Sequence, residues 1–215
     1  TRVRSITADM SAARLQQRHT FLQAIFARGS YLNNSEALAL YKEITGADDG
    51  AEFDAFWGQI NVDVKSVNLE LRRCRFVDDG QVYLGVVNKL EDGPSKLATQ
   101  HSPMQVLYFK AILDRLLLDE SSALEGIPAS TALNEKALLY RSADDAGPSS
   151  QVSAEDLKIS AVEKDSSLRE FIEEGWLHQP SPGVFKLGVR TFLELREYVL
   201  SAAPDEAKTK WGDAV

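Results

Sequence analysis

The hydrophobic period of this chain switches from steps of three and four to steps of two, and it does so twice. That switch limits the fold more than any other feature, because helices and half-buried strands need different periods. Leu15, Leu22, Ile25 and Phe26 lie on one helical face, with Gly29 as a C-cap. Leu38, Tyr41 and Ile44 predict a short second helix ending at Gly46. Asp49-Gly50-Ala51-Glu52 can form a capping box ahead of a third stripe, Phe53, Phe56, Trp57, Ile60, Val64 and Val67. Then Leu69 and Leu71 alternate with Glu70 and Arg72. Asp78-Asp79-Gly80 supplies a turn, and Val82, Leu84 and Val86 alternate on the return, which is the pattern of a β-hairpin.

The second half repeats this order without repeating the residues. Ser102-Pro103-Met104-Gln105 starts a helix with a hydroxyl cap, a proline at the first helical position and a glutamine three residues on. Its apolar face is Val106, Phe109, Leu113, Leu116 and Leu117. Residues 130–141 predict another short helix, and 142–150 a polar loop. Ser153-Ala154-Glu155-Asp156 caps a third helix carrying Leu157, Ala161, Leu168, Phe171 and Ile172, ending at Gly175. Two short strands follow around Pro180-Ser181-Pro182-Gly183, then a helix with Phe192, Leu195 and Val199. Three helices and a hairpin form the winged-helix variant of the helix-turn-helix. The expected fold is therefore α+β, mostly helical, a tandem winged-helix. Its boundaries are a tail at 1–13, modules at 14–100 and 101–203, and a linker at 204–215.

Charge and motif content narrow the function. The net charge of −8 divides as +1 over residues 1–75, −5 over 76–150 and −4 over 151–215. A protein that binds duplex DNA unaided carries a basic footprint, and none of any size is present. No apolar run approaches the ~18 residues that would suggest a membrane helix. The single cysteine, Cys74, excludes an internal disulfide and any multi-cysteine zinc site in this chain. No phosphate-binding loop, dinucleotide-binding glycine signature or nucleophile elbow occurs. His19, His101 and His178 have no ligand-like neighbours at helical spacing. The pairs Asp48-Asp49, Asp78-Asp79 and Asp144-Asp145 sit in turn-like segments. No catalytic residue and no metal ligand is predicted.

Arg72, Arg73 and Arg75 are the one dense basic cluster. In a winged helix the wing touches phosphates. Strand alternation, however, sends Arg72 to one face and Arg73 with Arg75 to the other. Lys158 and Lys164 are the candidate phosphate contacts of the second module, set among many carboxylates. For all five the alternative is a solvated face. Tyr31, Tyr83, Tyr108 and Trp211 lie near element ends, where an aromatic can anchor a partner. Packing within a module is the alternative for each.

Several stretches, in order, resemble one family. Arg18-His19-Thr20-Phe21-Leu22-Gln23-Ala24-Ile25 is similar to its opening helix. Ile60-Asn61 followed by Leu69-Glu70-Leu71-Arg72-Arg73 resembles its third helix and first wing strand, and Val86-Val87-Asn88 with Ser95-Lys96-Leu97-Ala98-Thr99 its return strand and connector. Phe171-Ile172-Glu173-Glu174-Gly175-Trp176-Leu177 and Phe192-Leu193-Glu194-Leu195 resemble its second module. The family is non-SMC element one, a subunit of the SMC five/six chromosome-maintenance complex.

The resemblance implies two winged-helix modules followed by a zinc-binding RING-like domain with E3 ubiquitin ligase activity. It implies a MAGE-domain partner, a kleisin partner, and double-stranded DNA bound only as part of the complex. It also implies a nuclear, chromosome-associated place in DNA repair and recombination. The RING should begin after Ala203-Pro204-Asp205-Glu206, yet no cysteine follows Cys74. Zinc is thus expected only in a RING that residues 1–215 lack, and these residues should be inactive as a ligase alone. A stand-alone winged-helix DNA-binding regulator is the alternative function.

Overall fold

The capping and turn residues read from the sequence mark out most of the elements in the computed structural model, which describes residues 2–90, 94, 97, 100–136 and 159–212. The chain divides into two units, residues 1–90 and 91–213. The sequence reading ended the first module at 100 and the second at 203.

In the first unit, α1 (Arg2–Ala27) buries Phe21 and Ile25 completely, while Leu15 and Phe26 from the predicted stripe stay exposed. Residues 2–13, expected as a tail, belong to this helix. Gly29 and Ser30 take positive φ angles of 90° and 72° and turn the chain into β1 (Tyr31–Asn33). Asn33 and Glu36 form a reciprocal capping box that starts α2 (Asn34–Thr45), and Gly46 ends that helix in the left-handed conformation. The box expected at Asp49–Glu52 does not form. The Asp49 carboxylate instead accepts from Ala51 N–H, closing a turn two residues ahead of α3 (Phe53–Val64).

A short 3-10 turn at Lys65–Val67 leads to β2 (Leu69–Arg75) and β3 (Val82–Asn88). The sheet order is β1-β3-β2, all antiparallel, with Leu71 opposite Val86 and Arg73 opposite Leu84. The core is aromatic. Phe21 meets Phe53, Phe56 and Trp57 edge-on at centroid distances of 6.2, 5.3 and 6.4 Å, and Tyr41 packs on Phe53 and Phe56. Asn61 joins helix to sheet: its side-chain oxygen accepts from the N–H of buried Leu71 at 3.0 Å. Cys74 is buried on β2 opposite Tyr83. The Tyr83 hydroxyl donates to Asp79 at 2.7 Å and so braces the hairpin turn.

In the second unit, Ser102 and Gln105 form the expected capping box on α4 (Pro103–Leu116), which buries Tyr108, Phe109, Ile112, Leu113 and Leu116. Two elements were not expected, α5 (Glu120–Glu125) and β4 (Ile127–Pro128). The short helix expected at 130–141 is α6 (Ala129–Asn134); from residue 137 it lies outside the described residues. The polar loop at 142–150 and the cap at Ser153–Asp156 lie outside them too. The described part of the third helix is α7 (Ala161–Glu173), opened by a capping box of Ser160 and Glu163.

Strands β5 (Leu177–Ser181) and β6 (Val184–Leu187) form the hairpin, and the sheet order is β4-β6-β5. Gly188 passes so close to the Gly175 carbonyl that a Cβ there would collide with it. In both units a short strand after the first helices pairs with the returning strand of the later hairpin.

The single helix expected around Phe192–Val199 is broken into α8 (Val189–Glu194) and α9 (Arg196–Ala202). Most of the expected linker is a packed helix, α10 (Asp205–Trp211). Ala207 and Trp211, one turn apart, are both buried, and Trp211 meets Phe192 edge-on at 5.3 Å.

Three outcomes follow. Asn61→Ala leaves a buried N–H without its acceptor and should cost about 1–3 kcal/mol in a denaturant melt of the whole chain. Trp211→Ala should cost about 3–5 kcal/mol, as expected for emptying a core site and not for altering a linker. Burial, with the Asp79 hydrogen bond, pushes the Tyr83 phenol from an ordinary 10.0 up to about 12. A raised folded-state pKa gives stability that is complete below the unfolded value and is lost as pH climbs through the folded one. Tyr83→Phe should therefore flatten the fall in melting temperature between these two pH values.

Candidate functional site

The basic cluster is built by β2. Its uninterrupted register puts Arg73 and Arg75 on the side of Leu71 and Arg72 on the side of Cys74. Arg72 is largely buried, and its Nε donates to Glu70 at 3.0 Å. Arg73 pairs with Asp54 at the start of α3 and lies 5.6 Å over the Trp57 ring and 5.9 Å over the Phe53 ring. Arg75 is exposed and has no ion-pair partner among the described residues. Two of the three predicted phosphate contacts are thus engaged inside the unit. Arg18 is engaged as well, donating to Asp63 at 2.6 Å and fastening α1 to α3.

Lys164 is a packing residue and not a free cation. From α7 it donates to the carbonyls of Leu133, at 2.7 Å, and Glu135, and it lies 5.4 Å over the Tyr108 ring. It satisfies carbonyls left open at the end of α6. Burial lowers its pKa from the usual lysine value, and the Glu135 charge opposes that. Lys158 lies outside the described residues.

The aromatic candidates separate into two pairs. Tyr108 is wholly buried, with its hydroxyl donating to the Ala132 carbonyl at 2.9 Å, and burial drives its pKa upward. Trp211 is buried against Phe192. Neither ring can reach a partner, because each supplies volume to the second unit's core.

Tyr31 and Tyr83 are only partly buried and stand together, with ring centroids 6.2 Å apart and planes at 59°. They wall an open groove of about 580 Å³, floored by Leu32 and Leu40. One face of α2 contributes Glu36, Ala39 and Glu43. The i, i+3 and i+7 spacing brings these three into line, and the small Ala39 keeps the space open. Arg28 stands in the lining at the end of α1.

A polar cluster in the second unit was not foreseen. His101 is buried. Its Nε2–H donates to Glu174 at 2.8 Å, and its Nδ1 lies 3.8 Å from Glu170 without a hydrogen bond. The same Glu174 oxygen accepts from Trp176 Nε1 at 3.0 Å, and Arg190 lies 4.2 Å over the Trp176 ring while bonding Glu194. Its one sequence trace was the Glu174-Gly175-Trp176 stretch, which reads as a helix end. The cluster holds the residue preceding α4 against the end of α7. Among the described residues, no group of three or more His, Cys, Asp or Glu could hold a metal ion, and no helix is long and apolar enough to cross a membrane.

Known proteins are similar to this chain in sequence and fold. A family model described as the Nse1 non-SMC component of the SMC5-6 complex matches residues 18–195. A non-structural maintenance of chromosomes element 1 homolog of Xenopus laevis is 21% identical over 92% of this chain and 67% of its own length. The Homo sapiens homolog is 25% identical over 73% of this chain and 52% of its own. The chain thus spans about half to two thirds of the curated relatives it matches. Among solved structures, a chain of an Nse1-Nse3-Nse4 complex superposes with a TM-score of 0.66 at 20% identity, covering 92% of this chain and 75% of that one. The fold is shared with that chain, and the family match runs from the core residues of α1 through both sheets to the end of α8: the chain belongs to the Nse1 family of non-SMC components of the SMC5-6 complex.

Proposed function

We propose that each unit is a winged-helix module and that the pair acts as a docking platform within an SMC5-6 complex. The platform binds a MAGE-domain subunit, corresponding to Nse3, and a kleisin subunit, corresponding to Nse4. The observation that carries this reading is the fold shared with a chain of an Nse1-Nse3-Nse4 complex. The winged-helix assignment is supported by the repeated order of helices, short strand, helices and hairpin, with the short strand on the returning strand in each unit.

The platform works in the nucleus, on chromosomes, in DNA repair and recombination. Ubiquitin transfer, and the zinc it needs, enter this reading only through a RING-like domain, whose cysteines residues 1–215 do not contain. Residues 1–215 supply no ligase chemistry of their own. DNA is bound by the assembled complex, with partners contributing most of the positive charge. The alternative, a stand-alone DNA-binding regulator, has less to support it. Arg72, Arg73 and Lys164 are committed to internal partners, and the net charge of −8 opposes phosphate.

Mixing this chain with a MAGE-domain subunit and a kleisin subunit should give a stable ternary species in size-exclusion chromatography with light scattering. Absence of any complex at micromolar concentration would remove the docking reading. The chain alone should show no sequence-selective binding to duplex DNA at low salt. Selective, salt-sensitive binding would instead favour the regulator.

A further inference from the structure

The groove between Tyr31 and Tyr83 is open, built from ordered parts and not used by the fold. The Tyr83 ring is held by its hydrogen bond to Asp79, and Tyr31 is presented by the tight turn at Gly29 and Ser30. The two rings are in contact, and both line the groove, where an aromatic face attracts a cation. The Leu32 and Leu40 floor is almost fully covered, at 5% exposure each, so little apolar area is on offer.

The charges around the groove are mainly negative. Glu36 and Glu43 line it and Asp79 sits at the tip of Tyr83, against the single guanidinium of Arg28. Glu43 has no ion pair among the described residues. Asp79 and Glu36 add to burial in raising the Tyr83 phenol. The start of α2 does not attract an anion, because Asn33 and Glu36 already cap it.

We propose that this groove receives a lysine or arginine side chain presented by a partner protein, its cation against the tyrosine rings that line it and facing Glu43. Charge complementarity selects this occupant over an apolar or acidic segment. The inference rests on the docking reading, but its test needs neither the MAGE-domain nor the kleisin subunit. The two can therefore fail separately.

The probes are tripeptides blocked at both ends, with lysine, arginine or uncharged norleucine between two glycines, titrated into the isotope-labelled chain and followed by NMR. The lysine and arginine peptides should shift the Tyr31 and Tyr83 ring signals and the Glu43 amide saturably at millimolar concentration, and added salt should weaken the effect. Glu43→Gln should reduce affinity about two- to fivefold, the scale of one exposed ion pair or cation–π contact. Arg28→Ala, which removes the competing cation, should tighten binding by about the same factor, a gain that a folding defect would not produce. Equal shifts from the norleucine peptide would overturn the proposal in favour of an apolar groove. Shifts at Arg28 from inorganic phosphate, with none from the lysine and arginine peptides, would overturn it in favour of an anion site. No response to the lysine or arginine peptide would overturn it outright.

Discussion

Each unit depends on the pairing of a very short strand with the returning strand of a hairpin. An isolated two-stranded hairpin is marginal in water, and a third strand or a packed helix is needed for independent stability. Here β1, three residues long, and β4, two residues long, supply that third strand. They also carry the chain from the first helices of a unit onto its sheet. In the first unit that places Phe21 and Ile25 over a helix, α3, which Asn61 fastens to β2. The aromatic core can close only because the sheet has been built in front of it.

These two strands, like α5, are elements that sequence periodicity does not reveal, and for the strands the reason is length. Two or three residues cannot display a period of two. The first hairpin can be read because Leu69–Arg72 and Val82–Val86 alternate on either side of Asp78-Asp79-Gly80, and the capping box of Ser102 and Gln105 because it depends on local chemistry alone. Where a helix boundary is set by tertiary contact, local reading failed. The expected box at Asp49–Glu52 lost to an Asp49 turn. The expected linker became α10 because Ala207 and Trp211 find a buried place, which a two-residue apolar pattern does not announce. Place in the sequence leaves anchor and packing both open for Tyr31, Tyr83, Tyr108 and Trp211; Tyr108 and Trp211 prove to be core residues, whereas Tyr31 and Tyr83 stay at a surface.

The stretches that carried the family resemblance are largely core and joints. Phe21, Ile25, Asn61, Leu71, Phe171, Trp176 and Leu177 each hold their own unit together, Phe171 and Trp176 also bordering the polar cluster around His101. This is why the resemblance reached the fold readily and interaction residues poorly. The positive charges show the same division. Arg18, Arg73, Lys164 and Arg190 all bind groups within their own unit, and three of them also lie over aromatic rings. A count of cations in the sequence cannot distinguish these from cations available to phosphate. For Arg73 and Arg18 the distinction lies in partners 19 and 45 residues away, Asp54 and Asp63.

The buried Cys74 has a practical value. It is the sole thiol of the chain and lies on the central hairpin of the first unit, opposite Tyr83. A thiol reagent cannot reach it until that hairpin opens, and the second unit offers no thiol to react. Labelling kinetics at a single sulfur atom thus report the opening of the first unit alone, with no engineered probe. The two halves of a repeated architecture become separable in time by a difference of one atom type.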